Sequence, residues 1–514
     1  MDAAMRVVTA AQMRAADAAA VVRIGDVALM HAAGAAIAEA IVALANDVHS
    51  GTTLRRIVAF AGRGNNGGDA YAALAVLDPA IERIVYAEPT SRASDGRRDA
   101  EIRAAAAGVV TRPFPTSVED AIAALARSDI ALDAMLGVGA RAEPNAAYAR
   151  VIDALATHPC VLAIDVPTGV EATTGAVATH AVRAHVTIAL GAAKLGLLLE
   201  PARAYVGKLS VGDLGIDREL DALDALDGMR FAALDDAELL ALVPTRDDDS
   251  DKRRSGAPLV IAGSRQFPGA AVLCARGAAR AGAGYVTVAT SEANTPTLRA
   301  HLVEEIVVGY DPGDIAGTID ALIDLTKRSN AVAIGPGLGL SERTGEIVRG
   351  FIARCERPFV ADASALFHLA KHLDLLRGKA CVLTPHAGEF ARLSGGGTLE
   401  PGTRVARLRA FVARTGITTL LKGSATLVDD GTTMHVNTTG TNALATAGTG
   451  DVLSGIIATL LAQGLAPVDA ARAGAYWHGL AGRQAARERR IVAALAAAAV
   501  PAGSFLEGGG ESTV

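Results

Sequence analysis

Asn65, Asn66 and Asp69 stand in a glycine-rich corner, AFAGRGNNGGDAYAALAVL (59–77), that satisfies G-x-G-x-x-G through Gly62, Gly64 and Gly67. The glycines fit a dinucleotide-binding turn between a strand and a helix, and Glu88 follows about 20 residues on, where such folds place an acid. The amides and Asp69 do not fit that use, because an acid at a helix N-terminus repels pyrophosphate. Their oxygens suit a hard cation or a ribose instead. A capped turn explains any one of them, but explains NNGGD as a run poorly.

Two further corners follow. LDAMLGVGARAE (132–143) puts Asp133 at the carboxyl end of a predicted strand, and AIDVPTGVEATTG (163–175) puts Asp165 in the same place, before Pro167, Thr168 and Gly169. Open parallel sheets bind ligands at those ends. Asn66, Asp133, Asp165 and Thr168 are therefore expected to meet in one crevice, with loop capping as the plainer use of each. Lys194, in LGAAKLG, is one of only seven lysines. Desolvated, it could act on a proton or a phosphate; a snorkelling surface lysine fits equally. A fourth corner lies far along the chain, in NTTGTNALATAGTGDVLSGIIATLLAQG (437–464). Ala447, Gly448, Thr449 and Gly450 lead into a strong helix whose first turn carries Asp451, so backbone N–H groups form an anion nest. Asp451 could take a proton from a hydroxyl beside a bound phosphate, or serve only as a favourable first-turn acid. No G-x-x-x-x-G-K-[ST] sequence occurs.

The elements that position these corners alternate. Residues 9–46 read as two amphipathic helices with Thr9 and Asp26 as N-caps. Then RIVAFAG, RIVYAE, DIALDAML, CVLAIDV and HVTIAL read as strands between Ala-rich helices, which implies a parallel sheet covered on both faces. From Asp217 to Asp251 the pattern loosens, and the charged run DDDSDKRR (247–254) reads as a solvated loop, so two domains are expected to join around residues 220–250. A second series follows: PLVIAG, GYVTVAT, NAVAIGPGLG, RPFVADA, ACVLTPH and TTLLKGSATLV. Two three-layer α/β/α domains are expected, over residues 1–225 and 226–495, with 496–514 a disordered tail. The 514 residues are 51% hydrophobic and 20% charged, which excludes a disordered chain. A net charge of −6 argues against a general nucleic-acid binder. Four scattered cysteines argue against a disulfide scaffold or zinc ribbon. Mean hydropathy is +0.30, yet no uninterrupted run of 18 apolar residues and no signal peptide is evident, so a cytoplasmic location is expected.

The corners also carry a family resemblance. NNGGDA, DAMLGVG, AIDVPTG and LGAAKLG resemble, in order, the motifs of the NAD(P)H-hydrate epimerase domain, a Rossmann-like fold. IAGSRQFPGAA, IGPGLG, LTPHAGEF, LLKGSAT and AGTGDVLSGIIATLLAQG resemble those of the ribokinase-like NAD(P)H-hydrate dehydratase domain. The resemblance implies metabolite repair. NAD(P)H hydrated at nicotinamide C6 exists as R and S forms; the first domain would interconvert them, and the second would restore NAD(P)H from the S form. The co-substrate would be ADP with Mg²⁺, or ATP in its place. Asp165 would move the proton with Lys194 assisting, and Asn66, Asp133 and Thr168 would hold K⁺. Asn65, Asn66, Gly67, Gly68 and Asp69 would wrap the hydrate with Gly137, Val138, Gly139, Ala140, Arg141, Ala142 and Glu143. In the second domain Asp451 would be the base, and Ala270, Gly337 and His386 would contact the hydrate. Lys422, Gly423, Ser424, Ala425, Thr426 and Gly450 would bind the nucleotide. A homo-oligomer without membrane or nucleic-acid partners is expected.

The chain departs from the family pattern in places. Ala70 replaces a glycine, Thr168 a serine that keeps the hydroxyl, and Ser364 in DASAL an acid; DKRRSG stands where H-K-G is usual. Two other readings stay open. A ribokinase-like kinase of a small alcohol shares the GTGD loop, and epimerase-like domains also serve as binding modules.

Overall fold

The computed structural model describes residues 5–48, 54–139, 143–227, 230–244 and 255–487; residues 140–142, the charged run 247–254 and the tail 496–514 lie outside it. The chain packs as two compact units that divide between Phe231 and Ala232.

The first unit contains β1 (Met5–Val8), β2 (Arg56–Ala61), β3 (Glu82–Ala87), β4 (Val110–Pro113), β5 (Ile130–Ala134), β6 (Val161–Ile164), β7 (Val186–Leu190), β8 (Ala193–Lys194) and β9 (Lys208–Gly212). Seven of them form a parallel sheet in the order β4-β3-β2-β5-β6-β7-β9. The central strands are apolar throughout because both faces are covered. Along β2 the alternation is visible: Ile57, Ala59 and Ala61 face a core with Ile37, Ile41 and Leu74, while Val58 and Phe60 face Met135, Tyr148 and Val151. Each such large side chain contributes about 1.5–3 kcal/mol on burial. The strand order reverses between β2 and β5, which opens a crevice beyond their carboxyl ends. β1 pairs with β8, setting Val8 beside Lys194.

The helices Ala10–Ile24 and Asp26–Val48 form as expected. Thr9 caps the first in a box with Gln12. Asp26 is not a cap, because its carboxylate accepts the Gly96 N–H instead, at 2.6 Å. Over Asp26–Asp47 the second helix is apolar enough to cross a membrane by length and composition, with mean hydropathy 1.9. His31, Glu39 and Asn46 interrupt the run, and Ile37 and Ile41 are fully buried in the core.

β10 (Arg230–Ala233) lies at the division. The second unit holds β11 (Pro258–Ile261), β12 (Thr287–Ser291), β13 (Ile306–Tyr310), β14 (Ala331–Ile334), β15 (Phe359–Ala361), β16 (Cys381–Leu383), β17 (Thr418–Leu421), β18 (Thr426–Asp429) and β19 (Thr433–Asn437). Their order is β13-β12-β11-β14-β15-β16-β17-β18-β19, parallel as far as β17 and antiparallel beyond. TTLLKGSATLV is thus two strands and a hairpin rather than one strand. The helices Pro268–Arg280 and Thr449–Ala462 cross at glycines: a Cβ on Gly455 would lie 2.0 Å from the Cys274 carbonyl oxygen, and one on Gly277 would lie 2.5 Å from that of Val452. Only glycine permits that approach.

Candidate active sites

The glycine corner after β2 is held from below. A Cβ on Gly62 would lie 2.0 Å from the Met135 carbonyl oxygen, so the loop passes directly over the β5 corner. Arg97, 1% exposed, donates through Nη1 to the carbonyls of Gly62 (2.6 Å) and Gly64 (2.7 Å). Glu88 is engaged too: it accepts from the Tyr148 hydroxyl at 2.7 Å and pairs with Arg63 at 3.2 Å.

Asn66, the second residue of the helix Asn65–Val76, donates through Nδ2 to the Leu136 carbonyl at 2.9 Å, while its Oδ1 is buried with no hydrogen-bond partner. Asp133, fully buried at the end of β5, accepts from the Thr168 N–H and from the Thr168 hydroxyl, both at 2.7 Å. Burial nevertheless pushes its carboxyl up to about 6, against the hydrogen bonds from Thr168 and Met135.

Asp165 follows β6 in the left-handed region, φ 67°, a conformation few residues other than glycine adopt and one that aims its side chain across the crevice. Its oxygens accept from the N–H groups of Val138 (3.2 Å) and Leu190 (3.3 Å) and pair with Lys194. Lys194 is fully buried and donates also to the Leu190 carbonyl at 2.7 Å, which overturns the snorkelling alternative. These groups line a cavity of 490 Å³ together with Gly137, Val138, Gly139, Asp69 and Asp17. Asp69 is 8% exposed; burial, then the nearby Asp165 and Asp17, push its carboxyl well above the usual range. Glu143 lies apart from the cavity lining and accepts from the N–H groups of Thr179 and His180.

In the second unit Asp451 lies in the first turn of Thr449–Ala462, whose N-cap is Gly448, φ 92°. The residue before it, Gly450, has the Lys422 ammonium 3.0 Å from where a Cβ would stand. Lys422 is not bonded to Asp451: its Nζ donates to Asp362 Oδ1 at 2.6 Å, and the Ser454 hydroxyl donates to Asp362 Oδ2 at 2.7 Å. Asp362, 1% exposed, directly follows β15. Burial, then Asp362, push the Asp451 carboxyl up to about 7, against the pull of Lys422. A carboxyl balanced there can accept a proton at neutral pH.

The loop Lys422–Ala425 joins β17 to β18. Arg404 donates to the carbonyls of Lys422 (3.2 Å) and Ala425 (3.3 Å), and Thr426 Oγ1 donates to the Gly423 carbonyl at 3.0 Å. Gly337 and Ala270 adjoin: a Cβ on Gly337 would lie 2.8 Å from that of Ala270. His386 caps the helix Ala387–Leu393, its Nδ1 accepting from the N–H groups of Gly388 and Glu389; the side chain is 62% exposed. Ser364, where the family pattern has an acid, accepts from the Gly339 N–H at 3.1 Å.

Known protein families match both halves of the chain. Residues 258–501 match the family model described as NAD(P)H-hydrate dehydratase, and 26–196 match that of the YjeF-related protein N-terminus. The bifunctional NAD(P)H-hydrate repair enzyme Nnr of Moorella thermoacetica is 35% identical over 502 residues, 94% of this chain and 93% of that one. The chain belongs to the bifunctional NAD(P)H-hydrate repair enzymes. The namesake from Mycobacterium tuberculosis is 36% identical over 464 residues, 89% of either chain. Among solved structures, an ADP/ATP-dependent NAD(P)H-hydrate dehydratase from Bacillus subtilis, co-crystallised with ATP/Mg²⁺, is 31% identical with TM-score 0.46; it covers 52% of this chain and 93% of its own.

As a bifunctional NAD(P)H-hydrate repair enzyme, the chain carries an epimerase half and a dehydratase half, each a layered α/β fold. The structure brings Asn65, Asn66, Asp69, Gly137, Val138, Gly139, Asp165 and Lys194 to one cavity, with Asp133 and Thr168 bonded to each other at the strand ends. Ala140, Arg141 and Ala142 lie outside the described residues. Asp17, Asp362 and Ser454 were not singled out from sequence. Asp362 bore the same signal as Asp133 and Asp165, an acid ending an apolar strand; Asp17 and Ser454 bore none.

Proposed function

We propose that the 490 Å³ cavity is where the R and S hydrates interconvert, and that Asp451 starts their dehydration in the second unit. The observation that carries the first half is the buried Asp165–Lys194 pair at the crevice where strand order reverses. At C6 the hydroxyl shares its carbon with N1, so the nitrogen lone pair can expel it once it is protonated, and water can return to the other face. Asp165, fixed in place by Lys194 and two N–H groups, takes the proton of that water.

The buried Asn66 Oδ1 without a partner, the Thr168 hydroxyl and the Asp133 carboxylate are hard oxygen donors, and an orphaned buried oxygen fits an ion. Asn66, Asp133 and Thr168 would hold K⁺, which supplies positive charge beside the hydrate. Asn66→Ala should therefore weaken any dependence of epimerisation on K⁺ over choline.

In the second unit Asp451 accepts the C6 hydroxyl proton as that oxygen attacks the terminal phosphoryl of ADP. Lys422, the Gly448–Gly450 nest and the loop Gly423–Thr426 meet the nucleotide's phosphates, where Mg²⁺ would be carried in by the nucleotide itself. AMP leaves; loss of phosphate from C6 and a proton from C5 then gives NADH. ATP is the alternative donor. The substrates are soluble dinucleotides, and we place the enzyme with them in the cytoplasm.

Incubating the chain with mixed NADH hydrates, with and without ADP, tests both halves. NADH should recover fully only with ADP, and from both epimers. Recovery from the S form alone would sink the epimerase half. A phosphorylated small alcohol as the sole product would favour the kinase reading.

A further inference from the structure

Four carboxylates line the cavity of the first unit, those of Asp17, Asp26, Asp69 and Asp165, and among the described residues only Asp165 has a cation bonded to it. The helix Ala10–Ile24 presents Met13, Asp17 and Val21 to the cavity, one residue per turn of a single face. Asp17 is half-buried and has no hydrogen-bond or ion-pair partner among the described residues. The charged groups that face it are Lys194 and Asp165 from the strand ends, Asp69 from the helix Asn65–Val76, Asp26 from the next helix and Arg63 from the glycine loop. Arg14, on its own helix, is directed instead to the Val138 carbonyl at 3.4 Å.

Moving a hydroxyl from one face of a ring to the other needs a proton donor where oxygen leaves and a proton acceptor where water enters. In either direction Asp165 can serve only one of these tasks, so a second group must serve the other. The Lys194 ammonium and the N–H groups of Val138 and Leu190 already occupy its oxygens. No such partner engages Asp17 among the described residues.

We propose that Asp17 is the second acid–base group of the epimerase site, giving a proton to the departing C6 oxygen on the face of the ring turned away from Asp165. The proposal rests on the epimerase reading of this cavity. Burial pushes the Asp17 carboxyl up to about 6, against the pull of Lys194, so a proton is available to it near neutral pH. The step balances: the C6–O bond breaks, the Asp17 proton leaves with that oxygen as water, and the N1 lone pair forms C6=N1⁺. A second water adds to C6, its proton goes to Asp165, and the electron pair returns to N1. The reverse epimerisation runs the same transfers backwards. Asp26 is committed to the Gly96 N–H, which leaves Asp69, lying deeper, as the rival for this role.

The test is epimerisation of separated R-hydrate without ADP, together with uptake of ¹⁸O from labelled water at C6, over pH 5 to 8. Asp17→Asn should lower kcat for both readouts by about 10²–10⁴ while leaving KM within about threefold. The wild-type rate should fall as pH rises past the Asp17 value, and that fall should vanish from the residual rate of Asp17→Asn. Asp17→Glu should recover at least about a tenth of the rate, which a merely structural loss would not allow. An unimpaired Asp17→Asn, or an unchanged pH profile, overturns the proposal. So does loss in Asp69→Asn with none in Asp17→Asn. A wild-type chain that does not epimerise overturns the reading of the site as well.

Discussion

Each half of the molecule sets a lysine against an aspartate at the end of a parallel strand, but the two halves spend the cation differently. In the first, Lys194 bonds to Asp165, the acid assigned to the chemistry. In the second, Lys422 bonds to Asp362, and Asp451 beside it has neither lysine nor serine on its carboxylate. The backbone strain follows the same division. Asp165 itself takes a positive φ of 67°, whereas in the second half it is Ala363, next to Asp362, at 48°. The difference shows how similar parts yield unlike acids. A bonded lysine occupies and fixes the oxygens of its carboxylate; a cation held one residue away only tempers the effect of burial, which pushes the Asp451 carboxyl up to about 7.

The largest expected effect separates the halves outright. Asp451→Asn should lower ADP-dependent NADH recovery by about 10²–10⁴ and leave epimerisation of the hydrates, followed chromatographically, unchanged. Equal loss of both activities would break the division of labour.

Next come the lysines. Lys194→Met leaves Asp165 buried and unpaired, so denaturant unfolding of the first unit should show a loss of about 3–5 kcal/mol. Lys422→Met should cost less, because its side chain is 21% exposed against 1% for Lys194. Equal losses would mean that the two pairs are energetically alike.

Ser454→Ala removes a hydroxyl from a buried carboxylate and should destabilise the second unit by about 1.5–3 kcal/mol. The smallest effect is a shift in pH dependence. Asp451 must be ionised to accept a proton, so dehydratase kcat/KM should rise as pH rises through about 7. Lys422→Met removes a charge that lowers this value and should move the midpoint up. Asp362→Asn removes one that raises it and should move the midpoint down. A midpoint indifferent to both would show that Asp451 does not set the profile.

Much of this was legible in the chain. The acids Asp133, Asp165 and Asp451 were found because each stands at a junction of apolar run and glycine, and the strands that carry the first two are buried on both faces. The short or solvated strands were not. β4 is exposed along its whole length, and β13 is only partly buried, so neither carries a continuous apolar signal. The hairpin of β17 and β18 was read as one strand because LKGSA is itself mostly apolar or small. Asp26 had the residue type and position of a cap, yet the Gly96 N–H from another helix took its carboxylate.

Sequence alone determined the two α/β halves, the glycine corners and the acids at strand ends, because these depend on local pattern and on residue type. Tertiary structure decided which cation meets which acid. Lys194 lies 29 positions from Asp165, and Lys422 lies 60 from Asp362. No periodicity reports whether such a lysine turns to water or inward. That choice is set by burial: a lysine taken out of water must find its carboxylate, and only the folded sheet brings one within reach.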